Sequence, residues 1–300
     1  MSTVAAFELD AARRLPADQP ACARAAFLVS PAGRALAAES ASDNAYMDLA
    51  QSFDGDRARA QHQALQRALS EELPVLAFAG DPDAPDGMFP NNVFATAPGR
   101  LLLGRMRHAV RQREAERPDI RGFFREMLGY RELDLRDGEA GELTGSLVVD
   151  RARGIGFAGL GERCTPLAAE RIAEALGLRI LHRADLAAAE FHTNVMLSVL
   201  AGRALVICPE GYADPAQAEH VQALYAPNVL LLDSSQKNAF AANCISLRPD
   251  SLWMSARAAD SLRQSQREHL QRMGLRLRAV ALDEIEKAGG SLRCCVAEVF

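Results

Sequence analysis

Four times in this chain a pair of short apolar runs flanks a turn, and the turns are almost evenly spaced. From Gly99 to Gly154, Gly154 to Gly202 and Gly202 to Asp250 the intervals are 55, 48 and 48 residues. Val93-Phe94-Ala95 turns into Leu101-Leu102-Leu103, and Leu147-Val148-Val149 into Ile155-Gly156-Phe157. Met196 to Val199 turns into Ala204 to Ile207, and Cys244 to Leu247 into Ser251 to Met254. Glycine reaches turn conformations closed to other residues, and β-branched and apolar residues populate strands, so each pair reads as a β-hairpin.

A helix is expected after each hairpin. Thr165-Pro166 supplies an N-cap and a first helical residue before Leu167–Leu176, which Gly177 ends. Ser255 caps a predicted helix running to Met273, stopped by Gly274. A further strand then follows at Glu132–Leu135, Leu178–Leu181, Val229–Leu232 closed by Asp233, and Leu275–Leu282. The module is strand, strand, helix, strand, and four copies cover roughly residues 86–288. The two ends hold the pieces of a fifth: Ala25–Val29, a helix over Arg57–Leu69, Val75–Phe78 and Val296–Phe300. Repeats of this length complete their cores against neighbours, so a closed ring is expected, with an ordinary α/β sandwich as the competing arrangement.

A chain of 300 residues that is 49% hydrophobic can bury a large core, and one domain over residues 1–300 is expected. A formal charge of −5 with interspersed basic residues argues against a phosphate-backbone binder, so a small-molecule partner is expected rather than nucleic acid. No apolar run is long enough for a bilayer, and no basic segment followed by a hydrophobic region opens the chain, so a cytoplasmic address without membrane contact is expected. A homodimer is left open. The six cysteines, at 22, 164, 208, 244, 294 and 295, lack paired metal-ligand spacing.

Polar groups gather at the entrances to the predicted hairpins. His192 in Phe191-His192-Thr193-Asn194 stands before an apolar strand, where an imidazole can transfer protons near neutrality. Glu142 in Gly141-Glu142-Leu143-Thr144-Gly145-Ser146 stands at the entrance of the preceding module, and across a ring axis it can meet and orient that histidine. Asn92 in Asp86-Gly87-Met88-Phe89-Pro90-Asn91-Asn92 offers an amide donor and acceptor to a planar polar group. Cys294, after Gly289-Gly290-Ser291, completes the series with a thiol. Dinucleotide and phosphate glycine loops, the His-Glu-x-x-His metal helix and the Gly-x-Ser-x-Gly elbow are all absent from the sequence, which leaves a thiol mechanism with no cofactor and no metal.

Taken in order, Phe89-Pro90-Asn91-Asn92-Val93-Phe94, Glu142-Leu143-Thr144-Gly145-Ser146, Phe191-His192-Thr193-Asn194-Val195-Met196 and Gly289-Gly290-Ser291-Leu292-Arg293-Cys294 resemble the signatures of the guanidine-modifying superfamily. That superfamily holds arginine deiminases, dimethylarginine dimethylaminohydrolases and amidinotransferases; the likeness is greatest to the arginine-deiminase-related branch with citrulline hydrolases. The resemblance implies a five-bladed, pseudo-symmetric α/β propeller (pentein) of ββαβ modules, with Cys294 as nucleophile, His192 as acid and base, and Glu142 as its carboxylate. Cys295 is expected to face away from the site, because neighbours on a strand face opposite sides.

Two departures bear on substrate. Asn92 and Asn194 stand where arginine deiminases usually carry aspartate, and Leu143 replaces the glycine usual after the glutamate. Paired carboxylates suit a guanidinium cation, whereas amides can serve both the oxygen and the nitrogens of a ureido group. Citrulline, cleaved to ornithine, carbon dioxide and ammonia, is therefore the first expectation. The alternatives are a deiminase or dimethylaminohydrolase of arginine or methylarginine, an amidinotransferase, and a non-catalytic propeller that binds an amino acid. Asn92, Asn194, Asp86 and Phe89 are the expected wall around the planar group, with Asp86 able to meet a cation; Arg105 and Arg163, and after them Arg293, whose neighbour must face the pocket, are candidates for the substrate carboxylate.

Overall fold

The computed structural model describes residues 14–33 and 35–300. The expectation of a chain start without a leader segment falls partly on residues 1–13 and lies outside the described residues there. Five small sheets form among the described residues, one for each expected module. Phe94–Ala97, Arg100–Leu103 and Arg131–Asp134 make one sheet; Leu147–Asp150, Ile155–Leu160 and Ile180–Asp185 make the next; Leu197–Leu200, Ala204–Ile207 and Val229–Leu231 make a third. In each the first two strands are antiparallel and the third is parallel to the second. Gly99, Gly154 and Gly202, at the hairpin turns, have φ of +69°, +68° and +64°, a left-handed conformation that a Cβ would oppose.

The two ends of the chain share the closing sheet. Ala25–Val29 pairs antiparallel with Ala297–Val299 and parallel with Val75–Phe78, which gives the fifth module the same hydrogen-bonding pattern from distant parts of the chain. The fourth module departs from expectation: Ser251–Ser255 pairs with Arg276–Val280, but Cys244–Leu247 contributes only a bridge between Ile245 and Trp253. Near the turn, serine side chains replace ladder bonds. Ser246 Oγ donates to Ser251 O at 2.6 Å, and Arg248 N donates to Ser251 Oγ at 3.1 Å.

The apolar side chains show that the ring is closed. Five large clusters lie between neighbouring sheets, and successive residues of one strand supply alternate clusters, as period-two geometry requires. Phe27 and Val29 pack with Phe94, Leu101 and Leu103, whereas Ala26 and Leu28 pack with Trp253 and Val280. Leu205 and Ile207 pack with Phe157, and Val206 packs with Leu252 and Met254. The molecule is thus a five-bladed α/β propeller of ββαβ units.

Helices cover the outside. Asp54 caps Gly55–Leu69 by accepting from Asp56 N and Arg57 N. Thr165 caps Pro166–Leu176, and Gly177 ends it at φ +72°. The helix expected from Ser255 to Met273 is two helices, Ala256–Ser261 and Gln264–Arg272. Leu262 turns extended between them and buries its side chain against the fourth module, while Arg263 N donates to Gln266 Oε1 at 2.9 Å to start the second. After the first hairpin, where one helix was expected, the chain runs through short helical turns from Ala109 to Met127. No helix among the described residues is long and apolar enough to cross a membrane.

Candidate active site

At one end of the ring the chain enters each inner strand through a tight turn. Pro90–Asn92 and Thr193–Val195 are single 3-10 turns, and Leu143–Ser146 and Leu292–Cys295 are single α-helical turns. His192 and Cys294 therefore sit on or beside helical turns, not at the start of a strand. The bonds Val93 N to Pro90 O at 3.1 Å, Met196 N to Thr193 O at 3.1 Å and Val296 N to Arg293 O at 3.3 Å close three of these turns. The expected reason for Cys295 to face away is corrected accordingly: about 100° of helical rotation per residue, not strand alternation, separates it from Cys294.

The turns are tied to one another around the axis. Thr144 Oγ1 donates to Asn91 O at 2.9 Å, Asn194 Nδ2 to Thr144 O at 3.3 Å, and Asn243 Nδ2 to Asn194 O at 2.9 Å. Cys294 N then donates to Asn243 Oδ1 at 3.3 Å. This chain of bonds holds side chains from four modules and the carboxyl-terminal segment in one buried cluster.

Within it His192 Nε2 and Glu142 Oε2 are 2.6 Å apart, and both residues are fully buried. The other carboxylate oxygen accepts from Arg107 N at 3.1 Å, while Arg163 Nη1 stands 3.5 Å from Oε2. Burial alone would raise the Glu142 pKa, but Arg163 and His192 outweigh it and hold the carboxyl well below its usual range. Burial lowers the His192 pKa despite Glu142, so the resting imidazole is neutral, with its proton on Nε2. Nδ1 has no hydrogen-bond partner among the described residues.

Cys294 Sγ lies 3.2 Å from Asn243 Nδ2 and 3.8 Å from Asn194 Oδ1. Burial raises its pKa, with the Asn243 bond working in the opposite direction, so the resting sulfur is a thiol. Asn243 was not singled out in the sequence. Its signal is positional: Asn243-Cys244-Ile245 opens the fourth module as Asn92-Val93-Phe94 opens the first, but no motif marks it.

Asp86, Phe89, Asn92, Arg163 and Cys294 all line one small cleft, together with Phe191. Among the described residues Asn92 Oδ1 meets no donor in the cleft, and Asp86 Oδ1 and the Ser40 hydroxyl that acts on Asp86 are both without a partner at full hydrogen-bond geometry. Burial raises the Asp86 pKa, and nearby Arg111 only partly offsets this. Arg163 is present but engaged: it pairs with Asp43, donates to Ser40 O at 3.1 Å and lies over the Phe191 ring at 4.7 Å. Arg105 is not brought to the cleft; its Nη1 donates to Arg136 O at 3.2 Å. Arg111, which no sequence motif marks, also lines the cleft, buried and forked onto Glu114 at 2.9 Å from both Nε and Nη2. No group of three or more potential metal ligands occurs among the described residues.

A strap from Glu39 to Tyr46 covers the cleft. Asp43 pairs with Arg163 and His108, Asn44 Nδ2 donates to Gly289 O at 3.3 Å, and Tyr46 Oη donates to Glu190 Oε2 at 2.8 Å. Cys294 is 1% exposed beneath it.

Comparison with known proteins identifies the family and the fold. The family model described as N,N dimethylarginine dimethylhydrolase, eukaryotic, matches residues 30–300. The N(G),N(G)-dimethylarginine dimethylaminohydrolase of Mycobacterium tuberculosis is 28% identical over 259 residues, covering 85% of this chain and 80% of that protein. The bifunctional arginine dihydrolase/ornithine cyclodeaminase AgrE of Nostoc sp. is 26% identical over 246 residues, covering 81% of this chain but only 33% of that longer protein. The substrate-bound N-terminal domain of ArgZ, a cyanobacterial arginine dihydrolase, superposes with a TM-score of 0.78 at 21% identity, covering 92% of this chain and 97% of that one, and shows the shared fold. The chain belongs to the N,N-dimethylarginine dimethylhydrolase family, within the guanidino-group-modifying superfamily, and is a hydrolase of carbon–nitrogen bonds other than peptide bonds.

Proposed function

We propose that this site hydrolyses the guanidino group of arginine or a methylated arginine through a covalent adduct on Cys294. The observation that carries the reading is the buried Asp86 carboxylate lining the cleft, with only the Ser40 hydroxyl as a neutral donor beside it, and with Asn92 Oδ1 lacking a donor among the described residues. Acceptors so sparsely met call for a ligand rich in N–H groups, and a guanidinium supplies both the donors and the charge. Leaving such a buried acceptor unmet costs about 1 to 3 kcal/mol, which a ureido group with its carbonyl oxygen offsets less well. The order of substrates expected from the two asparagines is thereby reversed: an arginine-type substrate comes before citrulline. The names of the relatives, an arginine dihydrolase and a dimethylarginine dimethylaminohydrolase, support the same order.

The chemistry follows from the resting protonation states. The Cys294 thiol attacks the central guanidino carbon as its proton passes to His192 Nδ1, and Glu142 at Nε2 stabilises the imidazolium that forms. His192 then gives that proton to the departing nitrogen, releasing ammonia or an alkylamine. Water adds to the thiol-bound carbon with His192 as base, and collapse frees the thiol and a ureido product. A cationic group beside Cys294 favours thiolate, so the arriving guanidinium assists its own attack.

A second turnover on the ureido product has a specific basis. Asn92, Asn194 and Asn243 place three amides at the centre, and each amide can present either donor or acceptor. Citrulline formed first would then be cleaved to ornithine, carbon dioxide and ammonia. The deciding assay feeds arginine, asymmetric dimethylarginine and citrulline separately to the purified protein and to Cys294→Ala, with ammonia, alkylamine and amino-acid products quantified. Citrulline from an arginine-type substrate is expected, absent in the alanine protein; cleavage of citrulline alone would sink the primary reading.

A further inference from the structure

The opposite end of the ring, where the hairpins turn, holds a larger cavity of about 470 Å³. It is formed by Pro98 and Arg100 of the first hairpin, Arg151 and Gly154 of the second, the Leu176–Arg179 connection, and Phe300. The strands run between this cavity and the site described above, so the two share no lining residue. Its size is that of a pocket for a whole small molecule.

Its charge is unusual for this protein. Most arginines pair with carboxylates or donate to carbonyls, yet Arg100 and Arg151 do neither among the described residues, although both are half-buried. Arg131, the register partner of Arg100, adds another positive charge beside it, and Arg24 stands exposed at the rim. Arg179 also lines the cavity, but it is paired with Asp18. Glu298, the acid whose charge acts on Arg151, is itself bonded to Arg293 at 2.8 Å, and the neighbouring Asp150 is taken by Arg153. Burial pulls the Arg151 pKa down to about 10, which marks a guanidinium short of compensation but still charged at neutral pH. Half-buried like charges without a counter-ion are costly, and an arginine fork is shaped for carboxylate or phosphate.

The remaining wall is mostly apolar. Pro20, Pro98, Leu176 and Leu178 line it, and the Phe300 ring lies under Arg151 with 4.3 Å from the guanidinium carbon to the ring centroid. An aromatic face already stacked on one arginine offers a surface for a planar ring whose acidic group reaches the guanidinium groups.

We propose that this cavity is a second binding site, specific for a small organic anion that joins a phosphate or carboxylate to a flat apolar ring, held by Arg100 and Arg151 against Phe300. It is independent of the reaction at Cys294. Isothermal titration of the full chain with adenosine monophosphate and with benzoate, beside adenosine and inorganic phosphate, tests it and separates a phosphate-borne from a carboxylate-borne source. Saturable binding of at least one of the two ring anions is expected, tighter than either control and weakened tenfold or more in both Arg100→Gln and Arg151→Gln, roughly the value of one charged hydrogen bond. Both variants should keep normal turnover at the Cys294 site, which establishes that they are folded. Failure of both ring anions to saturate, affinity matched by adenosine or phosphate alone, or binding unchanged in either variant would overturn the proposal.

Discussion

Gly145 is the residue on which the geometry of the site depends most tightly. A Cβ there would lie 2.5 Å from Asn92 Oδ1, 2.9 Å from His192 Cε1 and 3.0 Å from His192 Nδ1. Gly145→Ala fits a helical turn, so its effect falls on the imidazole and the amide that must move away. A displacement approaching 1 Å at a reacting group costs about 100-fold, and that loss in kcat is expected with little change in melting temperature. Asn243 acts on the thiol instead. Losing its hydrogen bond to Sγ removes one of the contacts opposing the upward push of burial, so the thiolate becomes scarcer at any pH below the thiol pKa. Asn243→Ala should slow iodoacetamide labelling of Cys294 at pH 8 by about tenfold, the equivalent of about 1.4 kcal/mol; an unchanged rate would remove Asn243 from the site. Leu143, beside Glu142, holds φ at +33°, a conformation that a glycine would enter more easily, while its side chain fills the space against Gly104.

At the scale of elements, two buried histidines connect the outer layer to acid stability. His62 lies on the inner face of Gly55–Leu69, and His182 lies on Ile180–Asp185 beside Phe157. Burial lowers the pKa of each to about 4 from a usual 6.5, so the folded state prefers the neutral ring. The unfolded chain binds more protons below pH 6.5. The stability each contributes is therefore complete above that value and is lost as pH falls towards about 4. Between pH 7.5 and 5 each histidine accounts for about 2 kcal/mol of the decline, and His182→Leu should flatten urea-denaturation free energies over that interval by this amount. Elements legible in the sequence were those whose ends are fixed locally. Thr165, Pro166 and Gly177 mark both limits of their helix without help from the rest of the fold. The break at Leu262 was not legible, because it comes from burial of that side chain in a cluster shared with distant strands. The bridge in place of the strand Cys244–Leu247 was hidden for a similar reason, since Ser246 and Ser251 exchange side-chain bonds only once the hairpin has formed. The site was read through its motifs: His192 meets Glu142, and Cys294 meets Asn194 of the same turn as His192, whereas Arg105 carried no local sign of its outward course and Asn243 had none of its inward one.

For the whole molecule the decisive fact is that the ring has a seam, and that the Cys294 turn leads directly into it. The strand Ala297–Val299 joins Ala25–Val29, and its continuation is fastened to the next blade by Phe300 N donating to Thr96 Oγ1 at 3.0 Å and Tyr130 Oη donating to Phe300 O at 2.6 Å. Every sheet supplies two inter-blade cores, so opening the seam exposes apolar faces on both sides of it and leaves no blade with both cores complete at the break. An open array of repeats would tolerate loss of one end and melt in stages, because each unit there depends only on its neighbours. A closed ring should melt as a unit. Removing residues 297–300 is therefore expected to abolish turnover by freeing the Cys294 turn and to lower the melting temperature of one cooperative transition by well over 10 °C, the scale set by several kcal/mol of lost packing. Calorimetry of the truncated chain decides the matter. A single transition at lower temperature means that the seam supports all five blades, whereas a separate early transition followed by an unshifted main one would mean that four blades stand without the fifth and that closure serves only to place the thiol.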